Sequence, residues 1–197
     1  MSCRRYIWNG DEFGIVTIRR NFLSIVGNKK GAAAVEFALV APLFFAMTFS
    51  ILEAGWFFFV NSVVEQANSN AARLIRTGQA QNDSMSKTAF YDTICNIVKP
   101  LGSCDEKLTI DVTAYNSFAD LAADVSAPVC RDKDDTTIEG AQFDPTDYGA
   151  QRQIVRVRVC YLYKPVTPAL GLNLGKTKHG DREVISVSIF RNEPFES

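Results

Sequence analysis

The chain has 197 residues, with 21 basic and 22 acidic side chains and a formal net charge of -1. So close a balance offers no surplus of positive charge for a phosphate backbone, which removes the case for nucleic-acid binding. The charge is unevenly placed, at +4 over residues 1–30, -1 over 31–77 and -4 over 78–197. A basic start, an apolar stretch and a mildly acidic remainder is the order expected of a chain anchored once in a membrane. The positive-inside rule then keeps the N-terminus in the cytoplasm and exports the rest. About 120 residues remain for the exported part, enough for one small domain with a modest core.

The first distinctive stretch is KKGAAAVEF, Lys29 to Phe37, which places the carboxylate of Glu36 at the entry to the longest apolar run in the chain. A charge in hydrocarbon is costly, so Glu36 needs a partner or a function. From Phe37 to Val60 the run FALVAPLFFAMTFSILEAGWFFFV is broken by one charge, Glu53. As a helix it would extend roughly 36 Å, enough to cross a hydrocarbon core of about 30 Å. It is longer than the apolar region of a secretory signal peptide, and no small-residue cleavage site ends it. Glu36 and Glu53 are spaced to fall near opposite membrane interfaces, with Trp56 suited to the outer aromatic belt. Pro42 removes one backbone donor near the cytoplasmic end.

Beyond the apolar run, Val60, Val63, Val64, Ala67, Ala71, Leu74 and Ile75 recur at helical spacing, while Asn61, Glu65, Asn68, Arg73 and Arg76 fill much of the other face. The pattern predicts one helix from about Ala33 to Thr77, with Gly78 as its left-handed stop. Its second half carries an apolar stripe that needs covering.

Ser84–Val98 is helical in character, with Met85, Ala89, Ile94 and Val98 as inward candidates. Leu108–Tyr115, Ile154–Tyr163 and Glu183–Phe190 alternate at strand period. Along the second of these, Val155, Val157, Val159, Tyr161 and Tyr163 share one face. Asn116–Val129 is expected to be a short helix or loop, and Arg131–Tyr148 an acidic, turn-rich excursion. Val166, Leu170, Leu172 and Leu174 either cap the core or form an interface patch. The fold class expected is α+β: a long N-terminal transmembrane helix continuing into a small domain with an antiparallel sheet of about three strands covering its apolar stripe.

Cys95, Cys104, Cys130 and Cys160 follow the anchor, and four cysteines in a small exported domain predict two disulfides out of three possible connectivities. The short loop between Cys95 and Cys104 favours local pairing, leaving Cys130 with Cys160. Cys3 falls on the cytoplasmic side, outside this count.

The stretches KKGAAAVEFALVAPLF, ILEAGWFFFVNSVVEQANSNAARLIRTG and VRVRVCYLYKPVTP resemble the TadE/TadG-like pseudopilins of tight-adherence (Flp) pilus systems, strongly over residues 29–78 and more loosely over 150–190. The resemblance implies that Gly31 ends a basic cytoplasmic leader cut by a prepilin peptidase, and that Ala32 becomes the new N-terminus. Glu36 and Phe37 would then be the fifth and sixth mature residues, with Glu36 serving processing or assembly by facing the amine of a neighbouring subunit. Such a leader, 31 residues, is longer than a simple pilin leader. The resemblance also implies as partners a prepilin peptidase, other minor pseudopilins, the major pilin and an assembly platform in the inner membrane. The place implied is the inner membrane, with the domain in the periplasm, or incorporation into the pilus.

The residues themselves offer no catalytic set. His179 is the sole histidine, in a polar loop with no nucleophile elbow or triad spacing. The stretch DKDDTTIEG, Asp132 to Gly140, has carboxylates but lacks the ordered positions of a calcium loop, and Cys95 and Cys104 are not at zinc spacing. No phosphate loop or dinucleotide fingerprint is present. The expectation is a structural protein without metal or cofactor, organised as leader 1–31, helix 32–78 and exported domain 79–197. The other reading is an uncleaved, membrane-tethered binding or sensor domain.

Overall fold

The computed structural model describes residues 31–131, 138–166 and 177–195. Leader residues 1–30 with Cys3, residues 132–137 of the acidic stretch, and Leu170, Leu172 and Leu174 lie outside these. The chain divides into two compact units, residues 1–47 and 48–197.

In the first unit, the described residues begin the long helix α1, Ala32–Arg76, with Pro42 inside it. Val35, Phe37, Leu39, Val40, Leu43, Phe44 and Met47 are all at least 60 % exposed. A core helix would bury such side chains; this one presents them outward.

In the second unit the same helix carries a buried stripe of Val60, Val64, Ala67, Ala71 and Ile75. The spacing alternates between three and four residues, which keeps these side chains on one face. The helix stops at Gly78, whose φ of 78° is left-handed and whose amide donates to the Ile75 carbonyl at 3.0 Å. A short turn, α2 (Gln79–Asn82), leads to α3 (Lys87–Val98), capped by the Ser86 hydroxyl accepting from the Ala89 amide. Phe90, Ile94 and Val98 are its buried residues. The expected inward Ala89 is exposed, because the face is centred one residue later on the much larger Phe90.

The sheet has four strands rather than three, and it is mixed rather than purely antiparallel. Strands β1 (Leu108–Tyr115), β3 (Ile154–Tyr163) and β4 (Arg182–Arg191) form the antiparallel part. Strand β2 (Ala141–Gln142) pairs parallel to β1, giving the order β2-β1-β3-β4. It lies in the stretch expected to be an irregular excursion, and two residues are too few to show a period. A six-residue helix, α4 (Phe118–Ala123), follows β1.

Strand β3 is buried along its whole length. Val155, Val157, Val159, Tyr161 and Tyr163 join the core that includes the α1 stripe and α3. The other face carries Arg156 and Arg158, which a reading of charge alone would put in water. Instead the chain after α4 lies over them. Asp124 accepts from Arg156 at 2.7 Å, and the Ser126 carbonyl accepts from Arg158 at 2.8 Å. Arg158 also pairs with Asp111 across the β1–β3 ladder, its Nε donating at 2.6 Å. Cys130 is bonded to Cys160 of β3, and Cys95 at the end of α3 to Cys104, with Cα separations of 5.5 and 5.8 Å.

Candidate functional site: the entry to the long helix and its buried face

Gly31 lies immediately before the α-helix, so the Gly31–Ala32 bond sits at the boundary where helical hydrogen bonding begins. A side chain built onto Gly31 would meet nothing within 4 Å. Residues 31–40 are exposed throughout, including Ala32, Glu36 and Phe37. Ala32 and Glu36 are four apart and share one helical face. The first turn holds no acidic residue, so Glu36 is the carboxylate nearest the positive end of the helix dipole. The segment can therefore offer an unobstructed backbone bond followed, one turn on, by an accessible carboxylate and an aromatic ring.

After this entry the helix is apolar and long enough to span a bilayer. An 18-residue window has mean hydropathy 2.0, and none of it is buried. Apolar side chains left outside any core suit contact with lipid. The helix fits a single-pass membrane anchor.

Glu53, the other carboxylate of the apolar run, is 2 % exposed. It lies seven residues before Val60 and so continues the buried stripe. The Tyr163 hydroxyl donates to its Oε1, and the Val166 amide lies 3.1 Å from both of its oxygens. Burial, reinforced by the hydrogen bond to Glu53 and its charge, pushes the Tyr163 hydroxyl well above the usual tyrosine range. Phe57 packs on the Tyr163 ring at 5.6 Å between centroids and lies under the Arg182 guanidinium at 6.0 Å. A second polar contact ties the same face to β4: the Asn68 amide nitrogen donates to Ser186 and Ser188 at 3.0 and 2.8 Å. Sequence reading put Asn68 on the solvent side, and the signal that could have found it is the Ser-x-Ser of β4 on the sheet face turned to the helix.

Among the described residues no group of three His, Cys, Asp or Glu side chains is placed to hold a metal ion. The structural features thus concentrate on one helix, exposed and apolar in its first half, sealed by polar contacts and aliphatic packing in its second. Residues 31–73 match the family model for TadE-like protein. The chain carries a TadE-like segment.

The TadE-like match covers the helix entry, the apolar run and most of the buried stripe, and ends before α3 and the sheet. It agrees with the resemblance read from KKGAAAVEFALVAPLF. No curated protein and no solved structure matches the chain.

Proposed function

We propose that this chain is a minor pseudopilin that takes part in assembling a tight-adherence pilus. It is inserted once in the inner membrane with residues 1–31 as a cytoplasmic leader, and its domain is in the periplasm. A prepilin peptidase cuts after Gly31, and Ala32 becomes the mature N-terminus. Its assembly partners are other minor pseudopilins, the major pilin and the inner-membrane platform. The reading rests above all on the TadE-like match beginning at Gly31 and running through Glu36 and Phe37. Chemistry supports it. A new amine at Ala32 and the Glu36 carboxylate each lose hydration near lipid, and pairing between neighbouring subunits offsets much of that cost.

The test is the mass of the mature N-terminus in membrane-extracted protein, for the wild type and for Gly31→Leu. Processing predicts a wild-type chain starting at Ala32 and a variant that keeps its leader. A wild-type chain still carrying residues 1–31 would instead support an uncleaved, membrane-tethered binding or sensor domain.

A further inference from the structure

The chain after α4 crosses β3 as a strap. Arg156, Arg158 and Cys160 alternate with the core residues of β3 and share the sheet face turned away from the core. The strap meets all three: Asp124 accepts from Arg156 at 2.7 Å, the Ser126 carbonyl accepts from Arg158 at 2.8 Å, and Cys130 is bonded to Cys160. Tyr115 also donates to Asp124. Otherwise the strap is loosely joined to the sheet. From Asn116 to Arg131 no residue is buried, and Phe118 and Val125 are 62 and 93 % exposed. Residues 125–131 make no backbone–backbone hydrogen bond among the described residues. A segment that buries no apolar side chain lacks the main driving force for staying down. Its polar contacts are exchanged against water and hold it weakly, which leaves the covalent tie at Cys130 to keep it in place.

The two disulfides differ in their surroundings. Cys104 belongs to the hydrophobic core, and Cys95 packs against it. Cys160 is buried on the other sheet face, but its partner Cys130 is half-buried and lines a cavity of about 340 Å³. In the cavity wall Arg131 and Lys178 offset the carboxylates of Asp181 and Glu183, so an approaching thiolate meets no net negative charge. Access to one sulfur is a main control on the rate of exchange.

We propose that Cys130–Cys160 is a redox lock on the strap. A dithiol reductant opens it ahead of Cys95–Cys104, and the strap then leaves β3 while the core stays folded. One thiolate of the reductant attacks the Cys130 sulfur, and Cys160 departs as a thiolate that takes up a proton. The second thiol of the reductant then displaces Cys130 from the mixed disulfide. The reductant ends as its own disulfide, and its two protons end on Cys130 and Cys160. Opening has an unequal effect on the two arginines. The carboxylate of Arg156 belongs to the strap, so Arg156 is stripped of it. Arg158 keeps Asp111, which lies opposite it on β1. The inference goes beyond pilus assembly and does not rest on cleavage at Gly31.

The test uses the full chain in detergent micelles, treated with dithiothreitol and sampled over time. Free thiols are trapped by alkylation and exposed guanidiniums by phenylglyoxal, and both are located by peptide mass. Cys130 and Cys160 should be alkylated about tenfold or more faster than Cys95 and Cys104. Arg156 should gain about tenfold in phenylglyoxal reactivity as they open, and Arg158 much less. Amide exchange in β1 and β3 should stay slow throughout. The paired variant Cys130→Ser with Cys160→Ser should show the reactive Arg156 without reductant, whereas Cys95→Ser with Cys104→Ser should keep it protected. Reduction of Cys95–Cys104 first would overturn the proposal, as would an Arg156 that stays unreactive once Cys130 and Cys160 are free. Faster exchange across β1 and β3 on the same timescale would also overturn it, because the bond would then be a staple of the whole fold. None of these results bears on the mature N-terminus, so the two readings fail separately.

Discussion

Glu53 and Tyr163, 110 positions apart in sequence, meet through a hydrogen bond in which the tyrosine hydroxyl donates to a carboxylate that is 2 % exposed. The contact ties the second half of α1 to the last residue of the central strand. Removing the donor while keeping the ring, as in Tyr163→Phe, leaves a buried carboxylate with one partner fewer. The expected cost is about 1–3 kcal/mol, read as a lower denaturation midpoint in detergent with an unchanged slope. Glu53→Gln retains an acceptor for Tyr163 and should cost less than Glu53→Ala. If Tyr163→Phe is neutral, the contact does not hold the helix to the sheet.

A tyrosine elsewhere in the same core should respond oppositely. Tyr148 is 2 % exposed, and its hydroxyl has no hydrogen-bond partner among the described residues. Tyr148→Phe therefore removes a buried, unsatisfied group and is expected to be neutral or to stabilise by about 1 kcal/mol. Opposite signs for the two substitutions, in one denaturation assay, would show that the partner and not the ring decides the effect.

Alkaline stability follows from the same residue. Burial pushes the Tyr148 hydroxyl up to about 12. Because the folded value lies above the unfolded value of about 10, the folded state is favoured fully while the tyrosine is neutral. That contribution is present below about pH 10 and is lost as pH rises toward 12. Unfolding followed by tyrosinate absorbance should fall in this window, and Tyr148→Phe should move it upward.

At the acid end, hydrogen bonds from Tyr115, from the Ser126 amide and hydroxyl and from Arg156 hold Asp124 well below the usual carboxylate range. Its contribution is present above the unfolded carboxylate value and is lost as pH falls through the folded one. Asp124→Asn should therefore flatten the acid limb of the stability curve. An acid limb unchanged from wild type would show that the clasp over Arg156 is not coupled to folding.

The disulfides close loops with sequence separations of 9 and 30. Loop-closure entropy makes the loss of Cys130–Cys160 the more costly by about 1 kcal/mol, within a total of roughly 2–4 kcal/mol for each bond. Paired Cys→Ser variants, compared by thermal or chemical unfolding, would measure the difference. A larger loss from the Cys95–Cys104 pair would point to strain or packing rather than chain entropy.

Much of this architecture is legible in the chain, because its signals are periodic. The alternation of Ile154–Tyr163 and the helical spacing of Val60, Val64, Ala67, Ala71 and Ile75 identify elements that must bury one face. What escaped are polar residues whose partners are remote in sequence. Glu53 continues the helical stripe, yet its charge hides it from a search for apolar periodicity until Tyr163 and Val166 are brought to it. Asn68 is disguised in the same way by its amide. Arg156 and Arg158 look like solvent-facing positions because a strand pattern does not reveal that the chain after α4 returns over them. At the helix entry, KKGAAAVEF was legible as a motif, but the exposure of Glu36 and Phe37 is a matter of tertiary structure that no local pattern carries.

The parallel course of α1 and β4 has a mechanical consequence. From Glu53 to Arg76 the helix meets Tyr163, Ser186, Ser188 and Glu193 in succession. A pull applied at Thr48 along the helix axis therefore loads the stripe of Val60, Val64, Ala67, Ala71 and Ile75 in shear, so its packing must slip together rather than peel open one layer at a time. The polar contacts at Glu53 and Asn68 lie directly in that path and act as catches against sliding. An interface joined in this way resists displacement most strongly along the axis of its own helix.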